Sequence, residues 1–129
     1  MTEIEDKVPP LEPITRYIFS ERHYAKTTGR VKYPTFLPKD GVTSIFRIGS
    51  FTSEQIWNIG DYVAKESSRT LRARGDLVAS NVFDEGLGIE SDTRKHPLHA
   101  NIIGWPSLRA KIKLLATKLA DKAQLHLKP

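Results

Sequence analysis

The sequence feature that most constrains the fold is the start of a helix near the middle of the chain. The segment Thr52-Ser-Glu-Gln55 matches a capping box, in which the threonine hydroxyl and the glutamine side chain each satisfy a free backbone N–H group. Ile56, Ile59 and Val63 follow at helical spacing, so one face of the helix is apolar and needs a partner. The pattern predicts an amphipathic helix over about residues 53 to 66.

A second helix is predicted toward the end of the sequence. Pro106 suits the first turn of a helix, where its missing N–H group costs nothing. An apolar stripe follows at positions i, i+4, i+7 and i+11, formed by Leu108, Ile112, Leu115 and Leu119. We expect this helix to continue to about Leu125.

The strands are predicted from runs of β-branched and aromatic residues between turn residues. Residues 31–37 and 42–48 are expected to form a hairpin around the turn Pro38-Lys-Asp-Gly41. Further strands are expected over residues 77–83, from Ile89, and over residues 98–103. The fold class predicted is α+β, a small antiparallel or mixed sheet of about four to five strands with two main helices packed on one face.

The length of 129 residues favours a single domain. Residues 1–13 are acidic and contain proline, which predicts a disordered tail, and residues 14–129 are expected to form the single α+β domain. The chain has no cysteine, which excludes disulfides and thiolate metal sites. It has no signal-peptide pattern and no apolar run near the roughly 20 residues of a membrane span. No membrane partner is therefore expected, and the expected location is cytoplasmic.

The charge of the chain is unevenly distributed. The formal net charge is +5, but residues 1–15 contain four acidic residues and one lysine, a net charge of −3. The rest of the chain therefore carries a net charge of +8. Such an excess attracts anions over a long range, whether nucleic acid, phosphate esters or an acidic partner, and many proteins carry it without binding nucleic acid.

One basic segment is the candidate anion site. Between residues 16 and 32 the basic side chains are opposed by a single glutamate, and the predicted anion-binding residues are Arg16, His23, Lys26, Arg30 and Lys32. An arginine-rich segment over residues 67–75 adds to the positive charge. The leading hypothesis is a module that binds an anionic ligand, either nucleic acid or a phosphate-bearing molecule. An equally simple interpretation is that these charges only keep an exposed loop soluble.

The enzyme alternative rests on His99 and Asn101. On the strand predicted over residues 98–103 these two side chains project from the same face. They would place a titratable base or acid beside a neutral hydrogen-bond donor. This pair predicts a His-dependent phosphodiester hydrolase or transferase, with Arg16, His23 or Arg30 as an electrostatic partner. The simpler alternative is a polar pair that sets the strand register.

No metal site and no cofactor are predicted. His96 and His99 are spaced as metal ligands can be, but residues three apart on a strand point to opposite faces. A third functional alternative is a regulatory module that binds another protein.

Two segments resemble a known family. Arg16-Tyr-Ile-Phe-Ser-Glu-Arg-His23 and His96-Pro-Leu-His-Ala-Asn-Ile-Ile-Gly-Trp-Pro106 resemble a family of small bacterial proteins. No activity is attached to that family, so the resemblance implies no function and no site residue.

Overall fold

The computed structural model describes residues 6–129, which contain eight strands and three α-helices. The strands are β1 (Pro13–Ile18), β2 (Tyr24–Ala25), β3 (Arg30–Val31), β4 (Thr43–Arg47), β5 (Ala73–Val78), β6 (Gly88–Ser91), β7 (His99–Ile103) and β8 (Gln124–Leu127). The helices are α1 (Ser53–Glu66), α2 (Ala79–Phe83) and α3 (Arg109–Lys122), with short 3₁₀ helices over Glu21–His23 and Tyr33–Phe36. No helix within residues 6–129 is long and apolar enough to cross a membrane.

Six strands form one antiparallel sheet in the order β6-β7-β4-β1-β5-β8, and β2 and β3 form a separate pair. The α+β class and the single domain agree with the prediction, but the main sheet has more strands than expected. The additional edge strand is β8, which pairs with β5. The first two residues of β8 fall within the helix predicted to about Leu125, but this helix ends at Lys122.

The main helices lie on opposite faces of the sheet, so the prediction of two helices on one face is wrong. Ile14 and Ile18 of β1 join a buried cluster with Ala116 and Leu119 of α3. Tyr17 points to the other face and joins a second cluster that includes Ile56 and Trp57 of α1. The central strands carry buried apolar residues on both faces, because each face is covered by a helix.

The predicted helix from Ser53 to Glu66 is confirmed with its capping box. The Thr52 hydroxyl accepts from the Gln55 amide at 3.2 Å, and the Gln55 side chain accepts from the Thr52 amide at 2.9 Å. Gly60 of α1 packs against the side chains of Tyr17 and Leu71. A Cβ atom added there would lie 2.7 Å from the Tyr17 ring, so this position of the helix has no room for a side chain.

The predicted hairpin is only partly present. Its turn is found, since Asp40 and Gly41 both have positive φ, and the second strand is β4. The prediction of the first strand over residues 31–37 is wrong, because β3 ends at Val31 and Tyr33–Phe36 form a 3₁₀ helix. Pro34 explains this, because proline has no N–H group for a strand ladder and suits the first turn of a helix.

The apolar run at residues 77–83 was expected to form one strand, but only its first two residues lie in a strand. β5 ends at Val78, and α2 begins at Ala79. The Asn81 side chain accepts from the Val78 amide at 3.1 Å and so satisfies a free donor at the start of α2. A short apolar run fits either a strand or a buried helix, and this local hydrogen bond favours the helix.

The start of the described chain is packed on the domain. Val8 is buried, Glu12 binds the buried Arg47, and the Glu12 carbonyl accepts from the Ala79 amide at 2.9 Å. Residues 8–12 therefore do not form the disordered tail predicted for residues 1–13. Residues 1–5 of that segment lie outside the described residues.

Candidate functional site

Arg16 lies where β1 separates from β4. β1 pairs with β5 along its whole length, but with β4 only at Ile14 and Thr15. Beyond Thr15, the Arg16 side chain links β1 to β4 and to the 3₁₀ helix Tyr33–Phe36 through two hydrogen bonds. Its Nε donates to the Thr35 carbonyl at 3.0 Å and its Nη1 donates to the Ser44 carbonyl at 2.9 Å. These two bonds hold the guanidinium in a fixed orientation.

Arg16 lines a cavity of about 340 Å³, which we call the basic pocket. Its lining comes from the end of β1, the first 3₁₀ helix and the segment that leads into β5. The lining residues are Arg16, Tyr17, Phe19, Ser20, His23, Arg69, Thr70 and Arg72. Arginine side chains from two distant parts of the sequence therefore meet at one cavity.

Few negative charges balance the basic pocket. Arg72 binds the exposed Glu21 at 2.9 Å. Arg69 lies over the Phe19 ring, 3.9 Å from its centroid. Within the described part of the chain, no carboxylate forms an ion pair with Arg16 or Arg69. The basic pocket thus holds cations that lack a neighbouring counter-charge.

The pKa values at the basic pocket respond to this arrangement. Burial first, and then the charge of Arg69, lower the pKa of Arg16 to about 10. Burial lowers the pKa of Arg69. Burial and then the charge of Arg16 lower the pKa of His23 from 6.5. At neutral pH both arginines remain charged and His23 is neutral. A bound anion would reverse these shifts, because it favours the charged forms.

The structure divides the predicted anion-binding set. Arg16 and His23 come together at the basic pocket. Lys26, Arg30 and Lys32 are exposed and do not line it. Arg30 binds Asp121 of α3 at 3.2 Å. Arg30 and Lys32 line a different cavity of about 410 Å³ beside α3.

Sequence reasoning missed part of the basic pocket, namely Ser20, Arg69, Thr70 and Arg72. A signal for two of them was present in the arginine-rich segment at residues 67–75. The sequence did not reveal that this segment lies beside Arg16. Arg74 of the same segment is buried on the α1 face instead, against Trp57 and Asp76.

His99 and Asn101 lie on β7 and share one face, as expected from their spacing. His99 Nε2 lies 2.6 Å from the Ser44 hydroxyl oxygen, and His99 Nδ1 lies 2.9 Å from the Asp92 carbonyl oxygen. The Asn101 amide donates to the Asp92 carboxylate at 3.4 Å. We call His99 and Ser44 the serine–histidine pair.

The expected electrostatic partners of His99 are not its hydrogen-bond partners. Its ring nitrogens are directed at Ser44 and Asp92, whereas Arg16 and His23 line the basic pocket and Arg30 binds Asp121. One connection remains, since Arg16 binds the carbonyl of Ser44. The two candidate sites therefore meet at the backbone of a single residue of β4.

Among residues 6–129, no three His, Asp or Glu side chains are grouped in a way that could hold a metal ion. His96 Nδ1 accepts from the Leu98 amide at 3.0 Å. No family model, no curated protein and no solved structure matches this chain.

Proposed function

We propose that this domain binds an anionic, phosphate-bearing ligand in the basic pocket. One observation carries the proposal: Arg16 is held at a cavity by backbone carbonyls alone, and no described carboxylate neutralises it. A partly buried cation without a counter-ion is costly unless a ligand supplies the charge. The nearby Arg69 increases this cost, and an anion between them would remove it.

Phosphate suits the chemistry of the pocket lining. A guanidinium group presents a planar set of donors that matches phosphate oxygens. Ser20 and Thr70 add hydroxyl groups, and the Ser20 oxygen already accepts from the Arg22 amide at 3.2 Å, so its proton is free to be donated. The cavity volume of about 340 Å³ is within the usual range for small-molecule sites.

The same pocket could receive a terminal phosphate of a nucleic acid. The net charge of +8 beyond residue 15 would attract a polyanion. The exposed Lys26, Arg30 and Lys32 would then contact the backbone of the polymer, which adds affinity without sequence preference. A single phosphate group would contact only the residues of the basic pocket, whereas a polymer would also contact these exposed residues. Variants of the two sets of residues therefore distinguish the two kinds of ligand.

Replacing Arg69 with glutamine should weaken binding of a 5′-phosphorylated single-stranded oligonucleotide by about tenfold, since a hydrogen bond to a charged group is worth roughly 1.5 kcal/mol. Arg30→Gln is the matched control, because Arg30 is also exposed but lies outside the basic pocket. Fluorescence anisotropy over a range of salt concentrations measures both variants. Inorganic phosphate serves as the small competitor.

The results separate the possible ligands. Competition by phosphate, with a larger loss of affinity in Arg69→Gln than in Arg30→Gln, supports the pocket. Equal losses in both variants, and a salt slope that flattens by about 0.7 for each, would indicate a diffuse nucleic-acid surface. If the wild-type protein binds neither the oligonucleotide nor phosphate at low salt, the proposed function is wrong.

Anion binding should also depend on pH through His23. The pKa of His23 is lowered from 6.5 in the free protein, first by burial and then by Arg16, so His23 is neutral at pH 7.5. Because an anion favours the protonated ring, affinity for inorganic sulfate should rise roughly fivefold as the pH falls from about 7.5 to 5.5. Sulfate keeps its charge in this range. Calorimetry with His23→Gln should give an affinity independent of pH, and the same pH dependence in this variant would contradict the assignment.

The remaining expectations from the sequence stay predictions. They are a cytoplasmic location, a regulatory role through another protein, and a phosphodiester reaction at His99. None of them is required by the proposed anion site.

A further inference from the structure

The hydrogen bonds of His99 define which of its ring nitrogens carries a proton. The Asp92 backbone carbonyl, 2.9 Å from Nδ1, can only accept, so Nδ1 must be the protonated nitrogen. In the neutral ring Nε2 then has a free lone pair. The Ser44 hydroxyl oxygen lies 2.6 Å from Nε2, so the hydroxyl donates a hydrogen bond to this nitrogen.

This is the arrangement that makes a serine nucleophilic. A base accepts from the hydroxyl, and a third group bound to the other ring nitrogen sets the orientation and the tautomer of the base. Here the third group is a backbone carbonyl instead of a carboxylate. We propose that Ser44 is a nucleophile activated by His99 and that it accepts an acyl group from a carboxylic ester.

The surroundings support a reacting group at this place. Ser44 and His99 are both only partly buried, so a substrate can reach them. They lie on paired strands of the main sheet, β4 and β7, which gives the pair a rigid base. The side chain of Asp92 binds Arg94 at 2.7 and 2.8 Å, which restrains the residue whose carbonyl orients His99.

The Asn101 amide donates one N–H group to Asp92 at 3.4 Å, and its second N–H group is left to stabilise the negative charge that forms on an attacked ester carbonyl. Asn101 is the direct cross-strand partner of Ser44, and side chains of such partners project from the same face a few ångströms apart. A neutral carboxamide is one of the donors that serve an oxyanion. The nearby cation, Arg94, is already bound to Asp92. A neutral ester therefore suits this place better than a phosphate group, which needs unneutralised cations.

The reaction can be written in two balanced steps. The Ser44 oxygen attacks the ester carbonyl carbon while the hydroxyl proton passes to His99 Nε2. The bond between the carbonyl carbon and the alcohol oxygen breaks, and the alcohol leaves with that proton. Water then attacks the acyl-serine, again with His99 as the base, which releases the acid and restores the serine.

The test uses p-nitrophenyl acetate with the full chain. We expect a burst of p-nitrophenolate that approaches one equivalent of protein, and peptide mass spectrometry should locate one acetyl group on Ser44. Ser44→Ala and His99→Gln should each lose the burst. Ser50→Ala is the control, because Ser50 is exposed and carries no such partner among the described hydrogen bonds. Asn101→Ala should slow acylation without moving the label to another residue.

The site of the label keeps the proposal falsifiable even if a variant fails to fold. If the wild-type protein shows no burst and no acetyl group, or if the acetyl group lies on lysines and not on Ser44, the proposal is wrong. A label on Ser44 that is undiminished in folded His99→Gln would also overturn it. In these cases the pair only sets the register of β4 and β7.

Discussion

Replacing Phe36 with alanine should lower the free energy of unfolding by about 4 kcal/mol. Phe36 is completely buried in the 3₁₀ helix Tyr33–Phe36 and belongs to the cluster beneath α3. Removing its ring leaves a cavity between this 3₁₀ helix, α3 and the sheet that rigid neighbours fill only partly. The loss is a large part of the roughly 5–15 kcal/mol that stabilises a typical domain.

Urea denaturation measures this effect, and Phe51→Ala provides the matched control. Phe51 is 39% exposed, so its removal should cost well under about 1.5 kcal/mol. The slope of the transition should be the same for both variants, because the folded state stays compact. Equal losses in the two variants would mean that Tyr33–Phe36 does not form part of the core.

Replacing Glu12 with glutamine should cost about 3 kcal/mol, because this change removes a carboxylate from a buried guanidinium. Arg47 is 5% exposed, and its Nε and Nη2 donate to the two Glu12 oxygens at 2.7 and 2.8 Å. Glutamine keeps the shape of the side chain but not its charge. The melting temperature should fall by roughly 10 °C.

Asp121→Asn is the control for the Glu12 variant. Its ion pair with Arg30 is exposed, with side-chain exposures of 69% and 54%, and exposed pairs contribute less than about 1 kcal/mol. Calorimetric melting of both variants gives the comparison. A Glu12→Gln protein as stable as the wild type would show that residues 8–12 are not attached to the domain through Arg47.

The basic pocket shows how much of an anion site can be predicted from the charge pattern of the sequence. The pattern around Arg16 and His23 pointed to an anion site, and the structure brings those two residues together. The predicted Arg30 and Lys32 lie outside the basic pocket, whereas Arg69 and Arg72 line it. Adjacent basic residues need not face one cavity, because a turn or a 3₁₀ helix sends each side chain in its own direction.

The serine–histidine pair was only half visible in the sequence. His99 stood out, because a histidine and an asparagine two apart on a strand share a face. Ser44 did not stand out, since a serine in a strand indicates no function unless the side chain beside it is known. The partner of His99 depends on the register of β4 against β7, which is a long-range property.

The sequence by itself determined α1, the turn at Asp40 and the mixture of helices and strands, because these depend on residues a few positions apart. A capping box or a left-handed turn is decided by local hydrogen bonds and sterics. Tertiary structure alone decided the strand order and the opposite faces of α1 and α3. These depend on which apolar surfaces cover each other and which distant polar groups meet. Burial and register, and not local propensity, therefore placed Arg69 beside Arg16 and Ser44 beside His99.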